Sequence, residues 1–441
     1  MQIGQLRTPL LVLVFTTGAF AQVYEGPSVL SRGGSARPYG QRAGRDANIR
    51  GYVSVQAFAD SGFFPATVSP TGGPTVSGTQ FGMEGTVGAY GIKRFRQGQA
   101  GIDYNGTFRH YPQASGLNGT DHFLGVDFKF QLNRSMMLKG QTTLGTSSRV
   151  FSFANVVGGG LGSSFLPLND LFDARVYFAR TSMGLTYNIT RRLQLDLHAD
   201  GFVIRRNKAL VGVNGYSPGA SLTYRMNQRQ WVGALFNFIH FDYPKAFGES
   251  DIQLLGGVFV HNFTKRWQAE LTAGAYRVDV AGTRRVEADP IVQQLLGIRF
   301  ISEAFSQANT LPLLSANVRG TTKAATFSFG YQRGPNAGNG VMLASSSESI
   351  MSMVSFATDR KWSASVSNSY SRAGSIGLDT PGYRSYFHAS SGSYALRRGL
   401  QLFSSILYRH SDVVYTRYPK NTYRLGFGLT YGSGDLPVSY F

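Results

Sequence analysis

The chain has 441 residues, of which 54 are Gly, 32 Phe and 23 Tyr, while only 15% are charged. That mix suits many strands meeting tight turns and aromatic belts. The absence of cysteine excludes disulfides, thiolate chemistry and Cys-ligated metals. The formal charge of +19 would raise nucleic-acid binding in a cytosolic chain, but the basic residues are scattered, with no basic helix stripe and no RNA-binding signature.

The N-terminus makes export the expected route. One positive charge in residues 1–7 precedes an apolar stretch at 10–20, which ends in Ala19-Phe20-Ala21 before Gln22. That is the layout of a secretory signal peptide. The small residues Ala19 and Ala21 fit a signal-protease groove, which makes Gln22 the expected first residue of the mature chain. The stretch is shorter than the ~20 residues needed to cross a bilayer as a helix, and no later stretch is long and apolar enough. Nucleic acid is therefore not an expected partner. The positive charge points to lipid phosphates, surface polysaccharide or anionic solutes.

Residues 22–47 are rich in Gly and basic residues and read as a flexible periplasmic leader, the alternative being entry into a lumen. From 48 to 431 one pattern recurs: an alternating strand, a short polar turn, another alternating strand. The turns centre on Asn133-Arg134, Thr190-Arg191, Asn227-Gln228, Thr264-Lys265, Thr322-Lys323, Asp359-Arg360 and Arg398-Gly399, with a more basic one at 93–98. Alternation is clearest at Leu193-Gln194-Leu195-Asp196-Leu197-His198-Ala199-Asp200, in 124–130, where Leu, Val and Phe alternate with Gly125, Asp127 and Lys129, and in 423–431. One aliphatic and one polar face per strand separates lipid from water across a barrel wall. Residues 252–260 are apolar on both faces, as contact with a plug or loop would require.

Counting spans gives eighteen strands, or sixteen if some are over-split, each near the ~9–11 residues of a tilted membrane strand. The fold class expected is all-β: a transmembrane antiparallel up-and-down barrel. Connections alternate short and long, the longest at 147–173 and 281–310, which fits short periplasmic turns and long extracellular loops. In the latter, Asp289 and Pro290 open a short helix. Segment 150–172 is too apolar for open water. It is either an inward constriction or a cap on neighbouring loops.

With these features the sequence resembles outer-membrane β-barrel proteins of the porin type, over 48–431 and at the level of pattern. The resemblance implies a bacterial outer-membrane location and passive passage of small solutes. It also implies insertion by the barrel-assembly machinery, which reads a terminal aromatic such as Phe441, and a homotrimer as the usual assembly. Residues 432–441 depart from the pattern as a tail holding Pro437, which cannot donate a ladder hydrogen bond. The leader is too short for the plug of a TonB-dependent transporter.

Candidate lumen-lining residues are Asp127, Lys129, Asp196, His198, Asp200 and Glu270. His198 between two carboxylates could serve hydrolysis, but side chains at i and i+2 stand ~7 Å apart along a strand and no nucleophile elbow accompanies them. Hydrated pore-lining groups are the better reading, with no enzyme activity, no cofactor and no metal. Arg180, Arg205, Arg206, Lys208, Arg284, Arg285, Arg333 and Arg409 near strand ends make an anion-leaning channel the expectation, and a non-conducting surface barrel the alternative: an adhesin, a structural protein or a polysaccharide-export partner. Trp231, Trp267, Trp362, Tyr276, Tyr408, Tyr423 and Tyr431 are expected in interfacial girdles.

Overall fold

A computed structural model describes residues 49–62, 78–148, 175–207, 211–244, 246–289, 291, 293–294, 297, 299–322, 324–336, 344–356, 361–376, 382–397, 399–413 and 420–432. The expected signal peptide with Ala19, Ala21 and Gln22, the leader, segment 150–172 and the tail with Phe441 lie outside the described residues.

Eighteen strands follow one another: β1 (Arg50–Ser61), β2 (Gln80–Phe95), β3 (Gly98–His110), β4 (Gly119–Gln131), β5 (Met136–Ser147), β6 (Val176–Asn188), β7 (Leu193–Arg206), β8 (Val213–Arg225) and β9 (Gln230–Tyr243). The second half holds β10 (Gly248–Asn262), β11 (Trp267–Glu287), β12 (Phe300–Thr321), β13 (Ala325–Asn336), β14 (Ser345–Phe356), β15 (Trp362–Ser375), β16 (Tyr383–Arg397), β17 (Leu400–Val413) and β18 (Lys420–Gly432). Each pairs antiparallel with the next, and β1 also pairs with β18 from Tyr52↔Gly432 to Ser61↔Tyr423. The sheet therefore closes on itself and leaves no edge over the height of the barrel, the condition for a sheet to cross hydrocarbon.

Side-chain alternation decides which face meets lipid. On β18, Tyr423, Leu425, Phe427, Leu429 and Tyr431 are exposed, while Arg424 and Thr430 between them are buried. On β11, Trp267, Ala269, Leu271, Ala273 and Ala275 share the outward face, which turns polar at Arg277 and Asp279. Ten residues at ~3.4 Å each, tilted ~40°, rise about 26 Å, the height of an outer-membrane apolar band. Trp267 marks one rim, its ring stacked on Phe327 at 6.1 Å, and Trp362 marks it again against Tyr394 at 4.4 Å. Tyr408 and Tyr423 pair on the outward face at the opposite ends of their strands. Two of the expected girdle aromatics point inward instead. Tyr276 shares its face with Val278 and is buried, and Trp231 shares its face with Leu235, beside Arg225.

Eight of the nine connections of two to five residues lie at one end of the barrel, and the ninth, 244–247 between β9 and β10, lies at the other. Their recurrent Asn and Thr residues act as local caps. Asn133 Oδ1 accepts from the N–H groups of Ser135 and Met136 at 2.8 Å, and Thr264 Oγ1 accepts from those of Arg266 and Trp267 at 3.1 Å. Thr190, Asn227 and Thr322 do the same. A side chain that satisfies the turn's own backbone is why this residue type recurs at these five hairpins.

The segment read as a loop at 281–310 is mostly sheet. β11 runs 21 residues and β12 runs 22, paired to Glu287↔Phe300. β12 gains its β13 partner only from Leu314 and β11 its β10 partner only up to Ala281. The hairpin thus stands above the barrel as a two-stranded ribbon. Water wets both of its faces, so its sequence lacks the alternation that marks the membrane strands. At its tip Asp289 Oδ1 accepts from Ile291 N–H at 2.8 Å and Gln293 N–H donates to Asp289 O at 2.9 Å, the capped helical turn expected there.

One glycine is required by close approach. The Tyr52 ring of β1 lies across Gly88 of β2, where a Cβ would come within 2.1 Å of Cζ, and Asn105 Nδ2 donates to the Tyr52 hydroxyl at 2.8 Å. Gly88→Val is expected to cost roughly 1–3 kcal/mol through overpacking, read as a lower urea midpoint for the loss of the compact band on unheated gels. An unchanged midpoint would refute this packing.

Candidate functional site

The inward faces of the strands form one lumen with four unlike sectors. Where the sheet closes, β18, β1, β2, β3 and β4 share a buried ionic cluster. Glu84 of β2 accepts from Arg424 Nη2 of β18 at 2.6 Å, Arg109 Nε of β3 at 3.1 Å and Gln56 Nε2 of β1 at 2.7 Å. Arg109 Nη2 donates to Asp121 of β4 at 2.5 Å. Arg424 Nε lies 3.6 Å from Asp60 and its guanidinium sits 4.0 Å from the centroid of the Phe58 ring. Tyr111 donates its hydroxyl hydrogen to Asp60. Register explains the assembly, because Gln56, Glu84 and Arg109 are successive cross-strand neighbours, as are Asp60 and Arg424.

The second sector contains most of the lumen residues expected from sequence. Lys129, Lys139, Gly184, His198 and Gly219 are direct neighbours from β4 to β8. Both intervening glycines are covered, Gly184 by the Lys139 stem and Gly219 by the His198 ring. Asp196 accepts from Thr186 Oγ1 at 2.6 Å and Gln194 Nε2 at 2.7 Å, and Asp200 pairs with Arg180 at 2.9 Å. Asp127 also faces inward, one inward position along β4 from Lys129. Glu270 faces inward on β11 opposite Asn317 and stands apart from this patch. Sequence reading missed Lys139, which links the β4 and β7 groups, and the entire closure cluster. Its available signal was a charge at an inward position of each strand.

The third sector is apolar. Ile239, Phe241, Tyr243, Ile252, Leu254, Tyr276, Val278, Val280 and Leu313 face inward and are almost wholly buried. On the same strand ends the outward face is polar, with His240 Nδ1 2.7 Å from Asp251 and Arg277 3.2 Å from Asp279. The usual pattern is inverted here because these ends stand above the hydrocarbon. Ala344 and Ile376, from the connections after β13 and β15, belong to the same cluster, and Tyr276 donates its hydroxyl hydrogen to Ser346 Oγ at 3.0 Å. This is the inward contact that the doubly apolar 252–260 segment called for. In the fourth sector the inward faces of β13 to β16 carry no charged residue and are rich in serine. Among the described residues no group of three or more His, Asp or Glu is placed to hold a metal ion.

A closed antiparallel barrel of eighteen strands with an apolar band outside is the architecture of a transmembrane β-barrel protein of the bacterial outer membrane. No family model matches the chain, and no curated protein matches it. Among solved structures it is similar to Pseudomonas aeruginosa OccK2 (OpdF), at 13% identity and a TM-score of 0.41, with 88% of this chain and 99% of that chain covered. The structure of the same protein in complex with glucuronate matches at 15% identity and a TM-score of 0.41 over the same shares. The Pseudomonas aeruginosa outer membrane protein opdK matches at 10% identity and a TM-score of 0.40, covering 88% and 99%.

Proposed function

We propose that this protein is a water-filled channel for passive diffusion of small hydrophilic solutes across the outer membrane. The observation that carries the reading is the inward face over the height of the apolar band, which outside the apolar sector is lined by Lys, Asp, His, Thr and Ser. An eighteen-strand barrel is too wide for its own side chains to fill, and a face of this chemistry holds water. The reading assigns no enzymatic step and no cofactor. Lipids and surface polysaccharide surround the barrel in this view, the barrel-assembly machinery inserts it, and a homotrimer is its proposed assembly.

Preference for anions is the finer part of the proposal, and net charge is its main support. Arg180 is paired with Asp200, Arg205 and Arg333 point outward, and Arg205 donates to Asn214. A second reading, a barrel closed at its mouth, is favoured by the apolar seat under Ala344 and Ile376. Purified protein in planar bilayers is expected to show discrete conductance steps, with a reversal potential in a salt gradient on the anion side. Deleting 150–172 is expected to raise the step size, as removal of a constriction would. Absence of steps in both proteins would transfer support to the closed surface barrel.

A further inference from the structure

Five consecutive inward positions of β15 are serine: Ser363, Ser365, Ser367, Ser369 and Ser371. Their neighbours across β16 are Ser393, Ser391, Ala389, Phe387 and Ser385, and across β14 the last four face Ser355, Met353, Met351 and Ser349. At ~3.4 Å per residue and ~40° of tilt, the serine run climbs about 21 Å, most of the band height. Some hydroxyls bond one another, Ser363 to Ser393 at 2.7 Å and Ser365 to Ser391 at 2.8 Å. Ser371 is 2% exposed, and its Oγ is aimed into the same inward face with no hydrogen-bond partner. A buried hydroxyl in that position costs free energy until an oxygen or a donor from outside the chain meets it.

We propose that this serine wall is a binding track for uncharged, polyhydroxylated solutes, an inference that rests on the channel reading. A serine hydroxyl donates one hydrogen bond and accepts two, which matches a solute whose groups also do both. A simple anion such as acetate offers acceptors alone and an ammonium cation donors alone, so half of the wall's capacity goes unused with either. The inward faces of β13 to β16 hold no charge of their own, and at one edge the inward Arg409 of β17 donates to Ser385 Oγ at 3.4 Å. Met351, Met353 and Phe387 lie among the serines beside Ser367 and Ser369. They give the C–H surface of a polyol an apolar partner within the polar strip.

The test is the block of ion current by added solute in planar bilayers, scaled to each protein's own open-channel current. Sorbitol is expected to reduce the current saturably, whereas tetraethylene glycol, uncharged but without a row of hydroxyls, and acetate, which offers acceptors alone, are expected to act without saturation. The triple variant Ser367→Ala, Ser369→Ala, Ser371→Ala is expected to weaken sorbitol block about tenfold, the order set by losing one or two net hydrogen bonds. Ser182→Ala, inward on β6 in another sector, is expected to keep the original affinity. Equal block by sorbitol and tetraethylene glycol, or equal affinity in the triple variant and its parent, would overturn the proposal. Flow dialysis of labelled sorbitol against folded barrel in detergent reads the same site without conduction. Saturable binding in the absence of conductance would reject the channel and keep the track, while conductance without binding would reject the track alone.

Discussion

Glu84→Ala is expected to destabilise the folded barrel by ~3–5 kcal/mol, the range for removing one partner from a buried ion pair. The carboxylate accepts from Arg424 at 2.6 Å and Arg109 at 3.1 Å, and all three side chains are at most 2% exposed. Its loss leaves two buried guanidinium groups with Asp60 and Asp121 as neighbouring carboxylates. The substitution should lower the urea midpoint for loss of the compact band on unheated gels more than any exposed-charge substitution does. Glu84→Gln, which keeps one accepting oxygen, should fall between the two. The worth of the cluster as a whole is a separate quantity, since replacing every member with apolar residues can be neutral or stabilising. A triple variant with Met at 84, 109 and 424 that recovers most of the loss would show that the penalty comes from stranded charge. An Ala variant with the parental midpoint would remove the cluster from any account of stability.

The position of this cluster matters beyond its energy. Arg424 and Glu84 are 340 residues apart in sequence and meet only when β18 lies against β1. The contact therefore belongs to the closing step of the sheet, and it fixes one register, since a slip of one residue would turn Arg424 to lipid.

That separation is also why sequence alone did not reveal the cluster. Alternation exposes each strand and each turn because both are local: 193–200 shows its two faces within eight residues, and Asn133 or Thr264 caps its own hairpin. The inward parity of charges such as Asp127, Asp196 and Asp200 was legible for the same reason. Which charge meets which depends on register between strands far apart in the chain, as in the row from Lys129 through Lys139 to His198. The β11–β12 ribbon escaped notice because it stands in water on both sides and needs no apolar face. Tyr276 shows a different difficulty. An aromatic near a strand end fits a girdle equally well from either face, and only its parity with Val278 places it inside. The serines of β15 have period two in plain view, but Ser contrasts weakly in hydropathy with Ala364 or Asn368 and so carries little weight in an alternation count.

The assignment of faces can be tested by one charge placed on each side of the wall. Phe427 is 58% exposed at the middle of the outward face of β18, between Leu425 and Leu429. Phe427→Arg is expected to cost ~2–4 kcal/mol, the range for Arg at the bilayer midplane. In lipid vesicles this should appear as a lower urea midpoint for loss of the compact form. Ser367→Arg, placed inward on β15 opposite Ala389, should change that midpoint by less than ~1 kcal/mol, since a hydrated lumen solvates the new charge. Its effect should appear in single-channel conductance and in a shift of reversal potential toward anions. The two variants are expected to separate completely, one in stability and the other in current. If Phe427→Arg were tolerated and Ser367→Arg unfolded the protein, lipid and water would lie on the opposite sides of this sheet, and the channel reading would fall with the assignment.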